Sequence, residues 1–153
     1  MGRRLAGSYR ITFPLGAFGL DREVEDTSTL RSQCLYECLK ALTAVDLHIL
    51  RFRASQGRPV PPLYKTGVFY QAEPEGQEDW NDILTCLDEL KKGRGSDCED
   101  LACWLSAEYQ FKGVAAHPIF VWRKMPDGGT LYHIQVLLPD GSIEDPSKRL
   151  GMR

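Results

Sequence analysis

Residues 95–102 read Gly-Ser-Asp-Cys-Glu-Asp-Leu-Ala and place a cysteine at the start of a predicted helix. Ser96 with Glu99 matches the capping box that begins many helices, and Asp97 with Asp100 offers an overlapping alternative. Either choice puts Cys98 in the first helical turn. Apolar residues then recur at helical spacing on the face of the helix that carries Cys98, so we expect this face to be buried. Those residues are Leu101, Ala102, Leu105 and Tyr109.

Two helical patterns precede this segment in the chain. The first runs from about 27 to 53 without a proline or glycine. A run rich in proline and glycine, 57–62, ends it, and 63–70 is predicted as a short strand or an extended aromatic segment. The second helix is predicted over 78–92, where two nearby glycines close it.

The predicted strands lie mainly after the helices, and turns of the type Pro-Asp-Gly separate them. N-terminal helices packed on a C-terminal antiparallel sheet predict an α+β fold. We expect one domain over 1–153, with a strand, the long helix and the Pro-rich connection in 1–77 and the chemical core in 78–151. The predicted strands cover 8–13, 119–122, 131–138 and the residues from 142.

Composition and charge exclude several classes of protein. The chain has 153 residues, 42% of them apolar, and a net charge of −2, so it fits one globular domain with no electrostatic reason to bind nucleic acid. The odd count of 5 cysteines argues against a disulfide framework, and their spacing argues against a zinc site. No apolar run is long enough to cross a membrane, and residues 1–7 lack the apolar core of a signal peptide. We therefore expect a cytoplasmic protein, or one in a particle assembled there.

Cys98 is the candidate nucleophile. The unpaired N–H groups of a first helical turn favour a thiolate, whereas the acidic neighbours Asp97, Glu99 and Asp100 disfavour it. A nearby imidazolium would supply the compensating charge. The alternative is an inert core cysteine.

His133 and Asp145 are the candidate partners of that thiol. A three-residue hairpin loop at 139–141 sets Asp145 opposite Gln135 and diagonal to His133, at about 7–8 Å between Cα atoms. A carboxylate-to-imidazole hydrogen bond is feasible at that separation. The alternatives are a structural histidine and a turn or capping aspartate before Pro146.

An oxyanion site needs donors, and the backbone N–H of Cys98 is one. A second donor from a side chain has four candidates, for each of which simple packing or solvent exposure is the alternative: Trp80, Asn81, Gln77 and Tyr64. The acidic trio Asp97, Glu99 and Asp100 either caps the helix or binds a hard cation such as calcium through oxygen ligands.

Taken in order, these residues resemble the transglutaminase-like superfamily of cysteine hydrolases. The resemblance covers about 78–151. This segment is similar both to the bacterial transglutaminase-like cysteine proteinases and to the small transglutaminase-like proteins of phages and prophages. It implies a papain-like fold core, with Cys98 as nucleophile, His133 as base and Asp145 as the residue that orients the base. It also implies a calcium site at Asp97, Glu99 and Asp100. The matching residues are Gly95-x-x-Cys98-Glu99-Asp100-Leu101-Ala102, Gly113-x-x-Ala116, Tyr132-His133, Asp140-Gly141 and Asp145-Pro146.

We expect from this a thiol-dependent acyl-transfer hydrolase that acts on peptide or side-chain amide bonds, with a protein or peptide as substrate. An amine-accepting cross-linker, a transglutaminase, is one alternative. The other is a non-catalytic structural or assembly protein of a phage particle, whose partners are phage structural proteins.

Overall fold

The computed structural model describes residues 27–74, 78–124, 126 and 130–153. The strand predicted at 8–13 and the candidate Gln77 lie outside them. By its internal contacts the chain divides into Met1–Cys34 and Leu35–Arg153, and the second unit carries every element described below except the start of the first helix.

The architecture mixes helices with one antiparallel sheet, which confirms the broad α+β prediction. In chain order, the helices and strands of the described residues are α1 (Thr27–Ser55), a 3₁₀ turn (Leu63–Lys65), α2 (Ile83–Lys91), α3 (Cys98–Phe111), β1 (His117–Lys124), β2 (Thr130–Leu137), β3 (Ile143–Glu144) and α4 (Pro146–Arg149).

Helix α2 begins later than predicted. The Asp82 side chain accepts hydrogen bonds from the backbone N–H groups of Leu84 (2.8 Å) and Thr85 (3.0 Å) and so caps the helix at this point. Residues 78–81, expected in the helix, form an irregular segment instead. The apolar spacing that predicted the longer helix reflects packing, since Trp80 contacts the core from outside the helix.

Segment 63–70 does not form the short strand that is one of its two predicted structures. It forms a 3₁₀ turn, and only Tyr70 pairs with another segment, through a parallel bridge to Ser96. The Tyr70 backbone N–H donates to the carbonyl of Leu150 at 2.9 Å. The segment therefore connects the residues before α3 with those after α4.

Helix α3 is the centre of the core. Its residues from Cys98 to Glu108 are all buried, so burial surrounds the helix and is not confined to the predicted face. The fully buried Trp104 lies in the middle of it. Ile134 and Val136 of β2 and Leu39 of α1 belong to the same buried cluster.

The sheet has the strand order β1-β2-β3, with both pairs antiparallel. β2 and β3 pair only at Val136↔Glu144 and Leu137↔Ile143. The loop between them has Gly141 at φ 83°, a value that suits glycine. This register is the one predicted from the Pro-Asp-Gly turn, and it sets Asp145 immediately after the last ladder pair.

Among the residues that the structure describes, no helix is both long and apolar enough to cross a membrane.

Candidate active site

A close backbone approach holds the start of α3 in place. The Ser96 N–H donates to Phe69 O at 3.0 Å, and the Gln71 N–H donates to Ser96 O at 2.9 Å. A Cβ atom added at Gly95 would lie 2.6 Å from both Phe69 O and Gln71 Cβ. Gly95 is therefore needed because another segment touches it, and not only to end the preceding helix as the sequence suggested.

Asp97 is the residue that caps α3. Its carboxylate accepts from the backbone N–H of Asp100 at 3.5 Å, and the helix starts at Cys98. Of the two capping patterns in the sequence, the Asp97–Asp100 pair is thus the one formed. Because Cys98 holds the first helical position, its own N–H is not used by the helix ladder and is available to an oxyanion.

The Cys98 thiol is buried, with 9% of the residue exposed. Its Sγ donates to Glu99 Oε2 at 3.0 Å. Burial raises the pKa of the thiol well above its usual range, and the charge of Glu99 raises it further, while a hydrogen bond from the Ile134 backbone acts in the opposite direction. The resting thiol is therefore protonated at neutral pH.

His133 and Asp145 are in direct contact. The distance from His133 Nε2 to Asp145 Oδ2 is 2.9 Å. The Gln135 side chain donates to the same oxygen at 3.0 Å, and the Lys148 backbone N–H donates to Oδ1 at 3.1 Å. Burial acts to raise the pKa of Asp145, but the hydrogen bonds from Gln135, Lys148 and His133 outweigh it, and the pKa is lowered. An ionised carboxylate thus faces Nε2, which leaves Nδ1 as the nitrogen free to accept a proton.

The sulfur of Cys98 lies against β2, next to the position of His133. The Ile134 N–H that approaches the sulfur belongs to the peptide group joining His133 to Ile134. Among the described residues, no hydrogen bond connects the sulfur to the imidazole, because the thiol bonds Glu99. The structure therefore brings His133 and Asp145 into direct contact and places Cys98 beside β2, the strand that carries His133.

Burial side by side raises the pKa values of the acidic residues around Cys98. Burial raises the pKa of Asp97 to about 7 and that of Glu99 to about 9, and in each case a neighbouring carboxylate adds to the rise. Burial also raises the pKa of Asp100, although the Asn81 backbone N–H donates to it at 2.6 Å. These groups act here as a hydrogen-bonded cluster of low charge.

The fit of this trio to calcium is poor. Asp100 is held by Asn81, Glu99 by the thiol, and Asp97 by the helix cap. Within 27–74, 78–124, 126 and 130–153, no group of three or more His, Cys, Asp or Glu side chains is arranged to hold a metal ion. Calcium binding by this trio stays a prediction.

The candidate oxyanion donors lie in different surroundings. Asn81 donates from its side chain to Asp79 O (2.9 Å) and to Asp100 (3.2 Å), so both of its N–H bonds have acceptors. The Tyr64 hydroxyl donates to Glu144 at 2.6 Å. Trp80 is half-buried against the core. A side-chain oxyanion donor stays a prediction.

Sequence reasoning missed two features of this site. Gln135 was placed on the face of His133, yet its hydrogen bond to Asp145 was not foreseen, although the shared face was a usable signal. Tyr70 lies near Cys98 and Asp97 at the start of α3, and burial raises its pKa. No pattern near Tyr70 marks it, because its position depends on a bridge to a distant segment.

Comparisons with protein-family models, with curated proteins and with solved structures found no match to this chain.

Proposed function

We propose that this protein is a thiol-dependent acyl-transfer hydrolase that cleaves peptide or side-chain amide bonds through Cys98, His133 and Asp145. The observation that carries the proposal is the 2.9 Å contact between His133 Nε2 and Asp145, next to a cysteine at the first position of a buried helix. An ionised carboxylate bound to one imidazole nitrogen fixes the tautomer in which the other nitrogen is a base. Catalytic hydrogen bonds are often incomplete before substrate binds, so a thiol not yet bonded to the imidazole is compatible with this role.

In the proposed reaction His133 Nδ1 takes the thiol proton, and the sulfur attacks the amide carbonyl carbon. The tetrahedral intermediate collapses to a thioester when the C–N bond breaks and the leaving nitrogen takes the proton from the imidazolium. Water, activated by the same nitrogen, then attacks the thioester and releases a carboxylic acid and the free thiol. The Cys98 N–H would stabilise the oxyanion at both stages.

The acyl acceptor decides between two outcomes. Water gives a peptidase or amidase, and a primary amine gives a cross-linker. Product analysis with a glutamine peptide, in the presence and absence of an amine, distinguishes the two by the mass of the product.

Covalent labelling tests the proposal. A panel of peptide chloromethyl ketone and peptide vinyl probes is incubated with the parent, with Cys98→Ala and with Cys34→Ala, and the modified residue is mapped. Cys34 is a half-buried thiol on α1, so its variant controls for nonspecific alkylation. We expect peptide-dependent labelling at Cys98 in the parent and in Cys34→Ala and its loss in Cys98→Ala. Equal labelling of all three proteins would contradict the proposal.

One observation favours a second candidate function. A buried thiol bonded to Glu99 and surrounded by carboxylates has the environment of an inert cysteine. On this reading the protein binds a partner without cleaving it, as a structural or assembly protein of a phage particle would. It predicts that Cys98→Ala changes neither partner binding nor any amide hydrolysis, whereas a measured thiol pKa below about 8.5 would contradict it.

A further inference from the structure

The carboxylate of Glu144 is the centre of a hydrogen-bonded group that lies directly before Asp145 in the chain. Tyr64 donates to Oε1 and Tyr109 donates to Oε2, each at 2.6 Å. Arg149 Nη1 donates to Oε1 at 3.1 Å, and its guanidinium carbon lies 4.0 Å from the centre of the Tyr64 ring. We call these four residues the Glu144 cluster. Both carboxylate oxygens of Glu144 therefore have strong donors.

The members of the Glu144 cluster come from separate elements. Tyr64 belongs to the 3₁₀ turn and Tyr109 to α3, the helix that starts with Cys98. Arg149 belongs to α4, which Asp145 caps. The cluster also borders a cavity of about 690 Å³ that Asp145 helps to line. It thus connects the helix of the candidate nucleophile with the segment of the candidate orienting carboxylate.

Backbone pairing alone holds the segment from β3 to α4, which contains Asp145, only weakly. β3 pairs with β2 at only two positions, and Asp145 follows the second of them. Helix α4 has 4 residues, which is too short to be stable without tertiary contacts. Side-chain contacts at Glu144 therefore add to the burial of Pro146 and Ser147 in fixing the position of this segment.

The charges in the Glu144 cluster suit a permanent anchor. Burial acts to raise the pKa of Glu144, but the hydrogen bonds from Tyr109 and Tyr64 and the charge of Arg149 outweigh it, and the pKa is lowered. The hydrogen bond to Glu144, followed by burial, raises the pKa of Tyr109 to about 12. At neutral pH the carboxylate is ionised and the phenols keep their donating protons, so the contact is not a pH switch in that range.

We infer that Tyr64, Tyr109 and Glu144 are positioning residues: they hold β3 so that Asp145 meets His133 at hydrogen-bonding distance. The inference rests on the proposed function for its catalytic meaning, but the geometry of the dyad can be measured without any activity. The phenols act through Glu144 and touch no reacting atom.

The test uses Tyr64→Phe, Tyr109→Phe and the double variant, with Tyr36→Phe as the matched control. Tyr36 is a tyrosine of α1 that lies under Lys40 and outside the Glu144 cluster. Two quantities are measured below the melting temperature of each protein: the rate of Cys98 labelling by the most reactive peptide chloromethyl ketone, and the ¹⁵N chemical shifts of the His133 ring. The ¹⁵N shifts report which ring nitrogen is protonated and whether a carboxylate binds it.

We expect the double variant to label about ten- to a hundred-fold more slowly than the parent, because small displacements of a catalytic group have effects of this size. The His133 ¹⁵N shifts should move towards those of Asp145→Asn, which removes the carboxylate charge directly. Tyr36→Phe should keep both the rate and the shifts of the parent. If the double variant does not fold, the single variants carry the test, with smaller effects in the same direction.

Failure of the positioning role and failure of the proposed function give different results. Parent-like labelling and parent-like His133 shifts in the tyrosine variants would overturn the positioning role while leaving the enzyme intact. If the parent itself is not labelled at Cys98, the proposed function fails and the ¹⁵N shifts alone decide the positioning role. A changed His133 signal then supports it, and an unchanged one overturns it.

Discussion

Replacing Glu99 with glutamine should change how the stability of this protein depends on pH. The folded protein keeps the Glu99 proton up to about pH 9 because the carboxyl is buried beside Asp97, whereas an unfolded chain releases it near the ordinary value of 4.5. A group with a raised folded pKa stabilises the protein below its unfolded pKa, and this contribution is lost as the pH rises towards the folded value. The parent should therefore lose stability between pH 5 and pH 7.

The size of the effect follows from one retained proton. Each pH unit costs about 1.4 kcal/mol of unfolding free energy per proton that only the folded state keeps, so Glu99 contributes a loss of about 2–3 kcal/mol between pH 5 and pH 7. Glutamine has nearly the same size and has no proton to retain.

Urea unfolding followed by circular dichroism at pH 5, 6 and 7 measures this. We expect Glu99→Gln to lose about 2–3 kcal/mol less than the parent over this range. The control is Glu37→Gln, because Glu37 is an exposed carboxylate paired with Lys40 at 2.7 Å. That variant should keep the slope of the parent. If Glu99→Gln and the parent show the same slope, Glu99 does not hold a proton in the folded state and the account of the acidic cluster is wrong.

Two further substitutions test the packing around the site. Gly95→Ala places a Cβ 2.6 Å from Phe69 O, so the backbone bridge before α3 has to shift. We expect the free energy of unfolding in urea to fall by about 1–3 kcal/mol and the labelling of Cys98 to become slower. Parent-like values of both quantities would contradict the close approach. Asp46 is fully buried and accepts from the Ile83 N–H at 2.9 Å, and burial raises the pKa of its carboxyl. The free energy of unfolding of Asp46→Asn, measured against the parent, should increase between pH 5 and pH 8, by up to about 1.4 kcal/mol per pH unit, since only the parent holds a proton that the unfolded chain releases. A difference between the two proteins that stays constant over this range would show that Asp46 is ionised when folded.

The parts of the site that were predictable depend on short-range chemistry. The Pro-Asp-Gly turn at 139–141 determines its own backbone geometry, and the register of β2 with β3 then follows, including the meeting of His133 with Asp145. The start of α3 was predictable in the same way, because Asp97 caps a helix within its own first turn. In both cases the interacting residues are near neighbours in the chain.

The parts that were missed depend on distant contacts. Gly95 is needed because residues 69–71 pass against it, and Glu144 is anchored by Tyr64 from 80 positions earlier in the chain. The contact between Cys98 and Glu99 involves adjacent residues, yet it forms because α3 is buried on all sides, where a carboxyl finds few other partners. Helix periodicity predicted burial on only one face, and the protonated acidic cluster follows from burial on the others.

Trp104 lies in the middle of α3, so its fluorescence can report on the opening of this helix. The indole is fully shielded from water and donates from Nε1 to the buried Glu108 carboxylate at 2.9 Å, and it lies six residues after Cys98 on the same helix. With the other two tryptophans, Trp80 and Trp122, replaced by phenylalanine, the emission wavelength would report solvent entry into the middle of α3 alone. Alkylation of Cys98 that proceeds without an emission shift would then identify opening confined to the first turn, and a simultaneous shift would identify unfolding of the whole core.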